Sequence, residues 1–377
     1  MRKHWLDNLR WVVVLSVLFY HVIYFYNNKG VFGGIGGFGG NQYQDIVMYV
    51  LYPWFMMLMF LIAGISSRYS LEKISSKQFL ASRTRKLLVP ATLGLFILHW
   101  ITGFFNSQGA SLANGSPIFP EEMPVFIKYF IWSVSGIGPL WFIQDLWLFS
   151  IILLLIRKFD KKDKLWQACE KIGIIPIILL GLLLYVGSFT LISNPRVESF
   201  DGLLNLYKPL NYLIPFLMGY FVFSHNKVQE ILGKYALYLI SIALILGFVL
   251  TITTFGQDNT SPKYLQSPMN IAYTWFMMLG LVGIFRRWGN TTSKFANYMT
   301  KSSYGLYIVH YIPVASIGYM LKVYTDLPPL AIYVVLTISV FLLSPIIYET
   351  LRRVPFVRWC VFGISKKKTL ASNNMKE

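Results

Sequence analysis

Ten apolar stretches of roughly 18–22 residues follow one another along this chain, separated by short polar breaks, and they leave few folds open. A run of that length is what an α-helix needs to cross the ~30 Å of hydrocarbon in a bilayer. Inside that hydrocarbon only helices and closed barrels satisfy every backbone polar group. The stretches lie at approximately 8–27, 45–66, 87–106, 139–157, 173–193, 206–224, 236–256, 268–286, 302–323 and 329–351. They predict an all-α, polytopic integral membrane protein of about ten transmembrane helices. Only 13% of the 377 residues are charged, against about a quarter in a soluble domain. No intervening loop is long enough to build a soluble domain. Residues 1–351 therefore read as one transmembrane domain and 352–377 as a basic tail. The apolar run after MRKHW has no small-residue cleavage site and reads as the first span.

The formal charge of +18 raises nucleic acid as a partner, but its placement argues against it. With the N-terminus inside, 28 of the 34 Lys and Arg residues fall on the inner side. The exceptions are Lys29, Lys128, Arg196, Lys208, Lys263 and Lys322. Such asymmetry predicts that both termini are cytosolic and that the protein sits in the cell membrane. The positive charge then meets anionic lipid, and the lipid bilayer is the first partner. Cys169 and Cys360 are too few for a metal framework and lie on the reducing side.

The first span carries the strongest functional signal. Arg10 and His21 are eleven positions apart, ~1100° around a helix and so only ~20° past three full turns. They share one face, with a rise of ~16 Å between them. An ionisable group at that depth is costly and marks a functional site by default. Arg83, Arg85 and Lys86 stand immediately before the third span, at Pro90. They read either as simple inner-side anchors or as an anion pocket, Arg supplying a forked donor and Lys a point charge.

Other features are weaker. The loop GVFGGIGGFGGNQ contains a formal G-x-G-x-x-G, but it follows a membrane helix rather than a strand and reads as flexible coil. Pro53 predicts a kink in the second span, whose end LIAGIS suits close helix contact. His99 reads as an interfacial residue beside Trp100. The run 126–134 is too short to span. Asp145, in the fourth span, needs a partner or a wet cleft, and His310, just before Pro313, is a second deep imidazole.

Taken together, these residues resemble the membrane acyltransferase type 3 family, which includes bacterial sugar and glucan O-acyltransferases. The resemblance rests on Arg10 and His21 after Leu6-Asp7-Asn8-Leu9, and on the aromatic-Met run WFMMLMFLIAG. It rests also on Arg83-Thr84-Arg85-Lys86-Leu87-Leu88-Val89-Pro90 and on YGLYIVHYIP at 304–313. It covers essentially the whole chain. One departure concerns the basic motif, where Lys86 stands at the family's second Arg and keeps the charge without the fork.

The resemblance implies transfer of an acyl group, acetyl above all, from acyl-CoA to a hydroxyl of a glycan or other cell-envelope acceptor. His21 and Arg10 would be catalytic, and Arg83, Arg85 and Lys86 would hold the donor phosphates. Asp145 and His310 would orient the imidazole or hold the acceptor. A neutral imidazole can act as general base or carry the acyl group itself, and the sequence leaves both open. Two rivals exist. An exporter of an envelope precursor would use the same buried groups without a phosphate site, and a lipid-binding scaffold would leave their burial cost unexplained.

Overall fold

The computed structural model describes residues 3–28, 34–40, 42–189 and 209–365, and among them helices are the regular structure, with no strand. In order these are α1 (His4–Phe25), α2 (Ile46–Leu71), α3 (Ser76–Ala113), α4 (Val125–Ser135), α5 (Trp141–Phe159) and α6 (Ile174–Ser188). There follow α7 (Pro209–Phe221), α8 (Asn226–Thr254), α9 (Pro268–Trp288), α10 (Lys294–Val309) and α11 (Tyr311–Tyr324). The last two are α12 (Pro329–Leu351) and α13 (Pro355–Phe362). Among the described residues seven helices are long and apolar enough to cross a membrane, and α10 with α11 forms an eighth as a pair bent by 51°. The protein is a multi-pass membrane protein.

The sequence predicts two further spans, at 173–193 and 206–224, and only part of each falls among the described residues. The described parts of 173–193 and 206–224 form the shorter α6 and α7. α6 is interrupted at Leu180, between Pro176 and a Gly181 whose Cβ position would lie 2.6 Å from the Trp275 ring. The remainder of those two predicted spans, 190–193 and 206–208, lies outside the described residues.

Small residues set the closest helix contact, as in membrane bundles generally. A Cβ on Gly64 of α2 would stand 2.0 Å from the carbonyl oxygen of Phe216 in α7. One on Gly219 of α7 would stand 2.1 Å from that of Leu61 in α2. The two backbones thus interlock reciprocally, which fixes the end of α2 that bears Ser66 and Ser67. Around Pro53, which has no N–H to give, Tyr273 and Thr274 of α9 donate to the carbonyls of Val50 and Pro53 at 2.7 and 3.2 Å.

α3 is continuous but irregular. Its course widens into π turns at Thr84–Leu88 and Leu95–His99, a distortion found most often at functional sites. Pro90 cannot donate to Lys86, four residues back, and the Tyr304 hydroxyl of α10 takes that carbonyl instead. α5 clasps the same stretch, Trp147 Nε1 donating to Thr84 Oγ1 at 3.0 Å and Gln144 Nε2 to the Ala91 carbonyl at 3.1 Å. α4 folds back on α3, so close that a Cβ on Gly103 or Gly136 would strike the carbonyl of Trp132 or His99. Its outward face leaves Val125 and Phe126 exposed, in keeping with the short non-spanning run read from the sequence.

At one end of the bundle, here the basic end, Lys3 Nζ donates to Tyr69 Oη and Asn226 Oδ1, each at 2.6 Å. Beside it Arg68 pairs with Glu72 and with Asp163, both at 3.1 Å, and lies 4.1 Å over the Trp166 ring. Trp166 in turn stacks on His225 at 4.0 Å. The His225 Nε2–H donates to the Trp166 carbonyl at 2.9 Å, and burial lowers the imidazole's pKa below its ordinary range. The predicted basic tail begins as α13, which buries Cys360, Val361 and Phe362. Gly363 (φ +62°) packs where a Cβ would meet the Arg85 carbonyl at 2.1 Å. Three buried, weakly polar side chains in a row make this a docked helix rather than a free tail, while 366–377 lie outside the described residues.

At the opposite end the glycine loop differs from the flexible coil read from its composition. Lys322 Nζ donates to the carbonyls of Ile35, Gly36 and Gly37 at 3.2, 2.5 and 2.9 Å. Gly36 (φ +81°) needs the left-handed backbone that lets those carbonyls converge.

Candidate active site

His21 lies deep in α1, and the side chain facing it comes from 289 residues further along. His310 is the residue between α10 and α11, at their bend. Pro313 produces that bend by removing a helical donor in the first turn of α11. His310 Nε2 lies 3.0 Å from His21 Nδ1, and the two rings are 5.0 Å apart. Tyr311 sets its ring edge-on to His21 at 5.1 Å, and Tyr20 does so at 5.3 Å.

Two backbone carbonyls assign the protons of this pair, since a carbonyl oxygen only accepts. His310 Nδ1 is 2.7 Å from the Tyr307 carbonyl and so carries the hydrogen that it donates. Its Nε2 in the neutral ring is then a lone pair. His21 Nδ1 is 2.9 Å from the Val17 carbonyl and likewise carries hydrogen, shared between that oxygen and His310 Nε2. His21 Nε2 is left as the basic atom, and among the described residues nothing hydrogen-bonds to it. A half-buried imidazole with a free Nε2, oriented through Nδ1, has the arrangement of a general base or nucleophile.

Towards the basic end, Arg10 and Arg83 meet at adjacent residues of α2. Arg10 Nη2 donates to Ser66 Oγ and Arg83 Nη2 to Ser67 Oγ, each at 2.9 Å. Asp7 offsets part of the Arg10 charge at 3.3 Å. Among the described residues Arg83 has no carboxylate partner, only the Ser67 hydroxyl and the face of Phe79 at 4.9 Å. Arg83, held by a neutral hydroxyl and close enough to Arg10 for the two to repel one another, keeps its charge for an anion, while Arg10 shares its own with Asp7. Arg10 stands ~16 Å below His21, the rise of eleven helical residues.

The other residues singled out in the sequence have other partners. Arg85 turns to Ser365, past α13, at 3.3 Å, and Lys86 is exposed. Both fall in the π turn just after Arg83, and Lys86 stays within electrostatic reach of Arg83 and Arg85. Asp145 faces α7, near Tyr212, and makes no bond to either histidine of the pair. His99 is fully buried within the protein, where α4 closes over it. Ser66 and Ser67 read in the sequence as packing residues. Only their adjacency at the end of a span, opposite two predicted cations, could have pointed to them.

A multi-pass bundle with a buried imidazole pair above a guanidinium pair defines a membrane protein suited to group transfer. The acyltransferase domain that characterises the acyltransferase type 3 family matches residues 3–349, and the chain belongs to that family. No curated protein and no solved structure matches it.

Proposed function

We propose that the protein is a membrane-bound O-acyltransferase that moves an acyl group, most simply acetyl, from acyl-CoA to a hydroxyl of a glycan or other cell-envelope acceptor. The observation that carries this reading is the free His21 Nε2, backed through Nδ1 by His310 and in line with Arg10 and Arg83. Family membership supports the transferase class. The Lys and Arg distribution supports a cytosolic basic end, the compartment that supplies acyl-CoA.

Arg10 and Arg83 fit the donor's phosphates, for which forked guanidinium donors are the suitable partner. The Ser67 hydroxyl holds Arg83 in place without neutralising it, and Ser66 and Asp7 together position Arg10. With the thioester drawn up towards His21, Nε2 takes the proton of the acceptor hydroxyl as its oxygen attacks the acyl carbon. The new C–O bond replaces the C–S bond, and the proton passes from Nε2 to the departing thiolate. During the step His21 is an imidazolium, and the His310 Nε2 lone pair at 3.0 Å from its Nδ1–H stabilises that charge. His310 here does the work a carboxylate does in other base–orienter pairs.

The test is acyl transfer from radiolabelled acetyl-CoA in membranes, comparing the parent with His21→Ala and Arg10→Ala at matched expression. Label should enter a glycan fraction in the parent and be lost with His21→Ala, while Arg10→Ala raises the donor concentration required. Equal incorporation in parent and His21→Ala would overturn the mechanism.

A further inference from the structure

The part of α3 that runs on from the level of the histidine pair carries a polar stripe to which the mechanism above gives no role. His99, Thr102 and Asn106 fall at i, i+3 and i+7 and so on one helix face. His99 and Thr102 are completely buried. Both ring nitrogens of His99, Thr102 Oγ1 and Asn106 Oδ1 have no hydrogen-bonding partner. Among the described residues no other helix carries three such groups at this spacing. Buried polar atoms are otherwise almost always paired, because an unpaired one bears its full desolvation cost.

The stripe adjoins the reacting centre. His99 and His310 are near enough to interact electrostatically. Thr102 Cγ2 and the Tyr311 ring flank the same point beside Gly138, at 4.0 and 3.6 Å, and Tyr311 is the ring set edge-on to His21. From there the stripe leads away from the guanidiniums. Asn106 is ~10 Å further along the helix than His99. One turn beyond it, Gly109 packs near Ile35 of the glycine loop, 3.3 Å from a Cβ placed there.

We infer that this stripe is the acceptor subsite, entered from the glycine-loop end and taking a neutral polyhydroxylated molecule such as a sugar ring. The inference rests on the acyl-transfer reading for its direction. A donor gripped at the basic end fills the space between Arg83 and His21, which leaves the approach from the other side to the acceptor. The chemistry of the stripe selects the class. An imidazole, a hydroxyl and an amide oxygen offer donors and acceptors without fixed charge. They therefore match sugar hydroxyls, each of which both donates and accepts.

Cysteine accessibility tests this independently of turnover. Thr102→Cys and Asn106→Cys would be made in the full chain with Cys169→Ser and Cys360→Ala, then reconstituted in vesicles. A membrane-impermeant methanethiosulfonate added at the glycine-loop face should label both positions. The probes are methyl glucoside, methyl galactoside and methyl N-acetylglucosaminide. At about ten times its dissociation constant, a bound glycoside should slow labelling about tenfold, because only the unoccupied site reacts. Coenzyme A should leave the rate unchanged.

Absence of labelling at both positions would mean a dry packing contact and overturn the proposal. Protection by coenzyme A alone would give the stripe to the donor's arm, and labelling that no glycoside slows would make it a water-filled pocket. Either result overturns it too. Failure of the acyl-transfer reading appears separately, in the His21→Ala incorporation assay. Thr102→Ser and Asn106→Ser in the same background control for folding and should resist the reagent.

Discussion

His310 Nε2 accepts at 3.0 Å from His21 Nδ1, so the base is oriented by a second neutral imidazole rather than by a carboxylate. Removing that acceptor should leave donor binding intact and slow the chemical step. His310→Ala is expected to lower kcat about 10²- to 10³-fold, in the range of general-base positioning effects. His310→Gln, whose amide oxygen can still accept, should retain more activity. Initial rates of acetyl transfer at saturating donor measure both, and a His310→Ala enzyme with parental kcat would refute the pairing.

Arg83, bonded to Ser67, and the exposed Lys86 give a contrast within one motif. Loss of a charge-assisted hydrogen bond is worth roughly 1.5–3 kcal/mol, or about 10- to 150-fold in affinity. Arg83→Ala should raise KM for acyl-CoA within that range. Lys86→Ala, at an exposed side chain, should change it by less than about threefold. A titration of donor concentration in each variant decides the matter, and equal effects would return the anion site to the whole basic cluster.

The glycine interlock between α2 and α7 is a prediction about folding. Gly64→Ala places a methyl 2.0 Å from the Phe216 carbonyl, with backbone on both sides and nothing flexible to yield. Overpacking of this kind costs about 1–3 kcal/mol or more. Gly94→Ala is the matched control, since its nearest neighbours would be at 3.6 and 3.7 Å, ordinary contact distances. Thermal unfolding in detergent, followed by size-exclusion, should show a lower midpoint for the first and little change for the second.

His225 supplies a pH dependence at the basic end. Its pKa is lowered in the folded protein by burial, so the unfolded chain binds a proton more readily. Above about pH 6.5 both states are neutral and there is no penalty. As pH falls below that value the local structure loses stability, because the unfolded form gains protons first. Hydrogen exchange of the 163–171 segment, corrected for intrinsic rate, should therefore quicken from pH 7.5 to 5. His225→Gln should abolish most of that change.

What could be read from the sequence was what helical periodicity and bilayer energetics carry. Arg10 and His21 share a face by simple rotation, and the structure keeps them on α1. His310 stood out because an imidazole in hydrocarbon demands a reason. That it meets His21 was only one option implied by the resemblance, since a contact across 289 residues leaves no local pattern. Arg83, Arg85 and Lys86 were grouped because charge is legible in sequence, whereas the π turn that sets their separate hydrogen-bond partners is not. The break in α6 at Leu180 went unseen for a related reason. Hydropathy averages over a window and does not register where a helix is interrupted.

α11 is 14 residues long, a rod of ~21 Å. One end begins at the bend after His310. Near the other, Lys322 grips three carbonyls of the glycine loop, and midway the Tyr26 hydroxyl holds the Gly318 carbonyl at 2.7 Å. The imidazole behind His21 is thus indexed to a surface loop through a rigid spoke, and α10 meets that spoke only across a hinge. Shortening the loop or cutting Lys322 would reach the base mechanically, although neither comes near the reacting atoms.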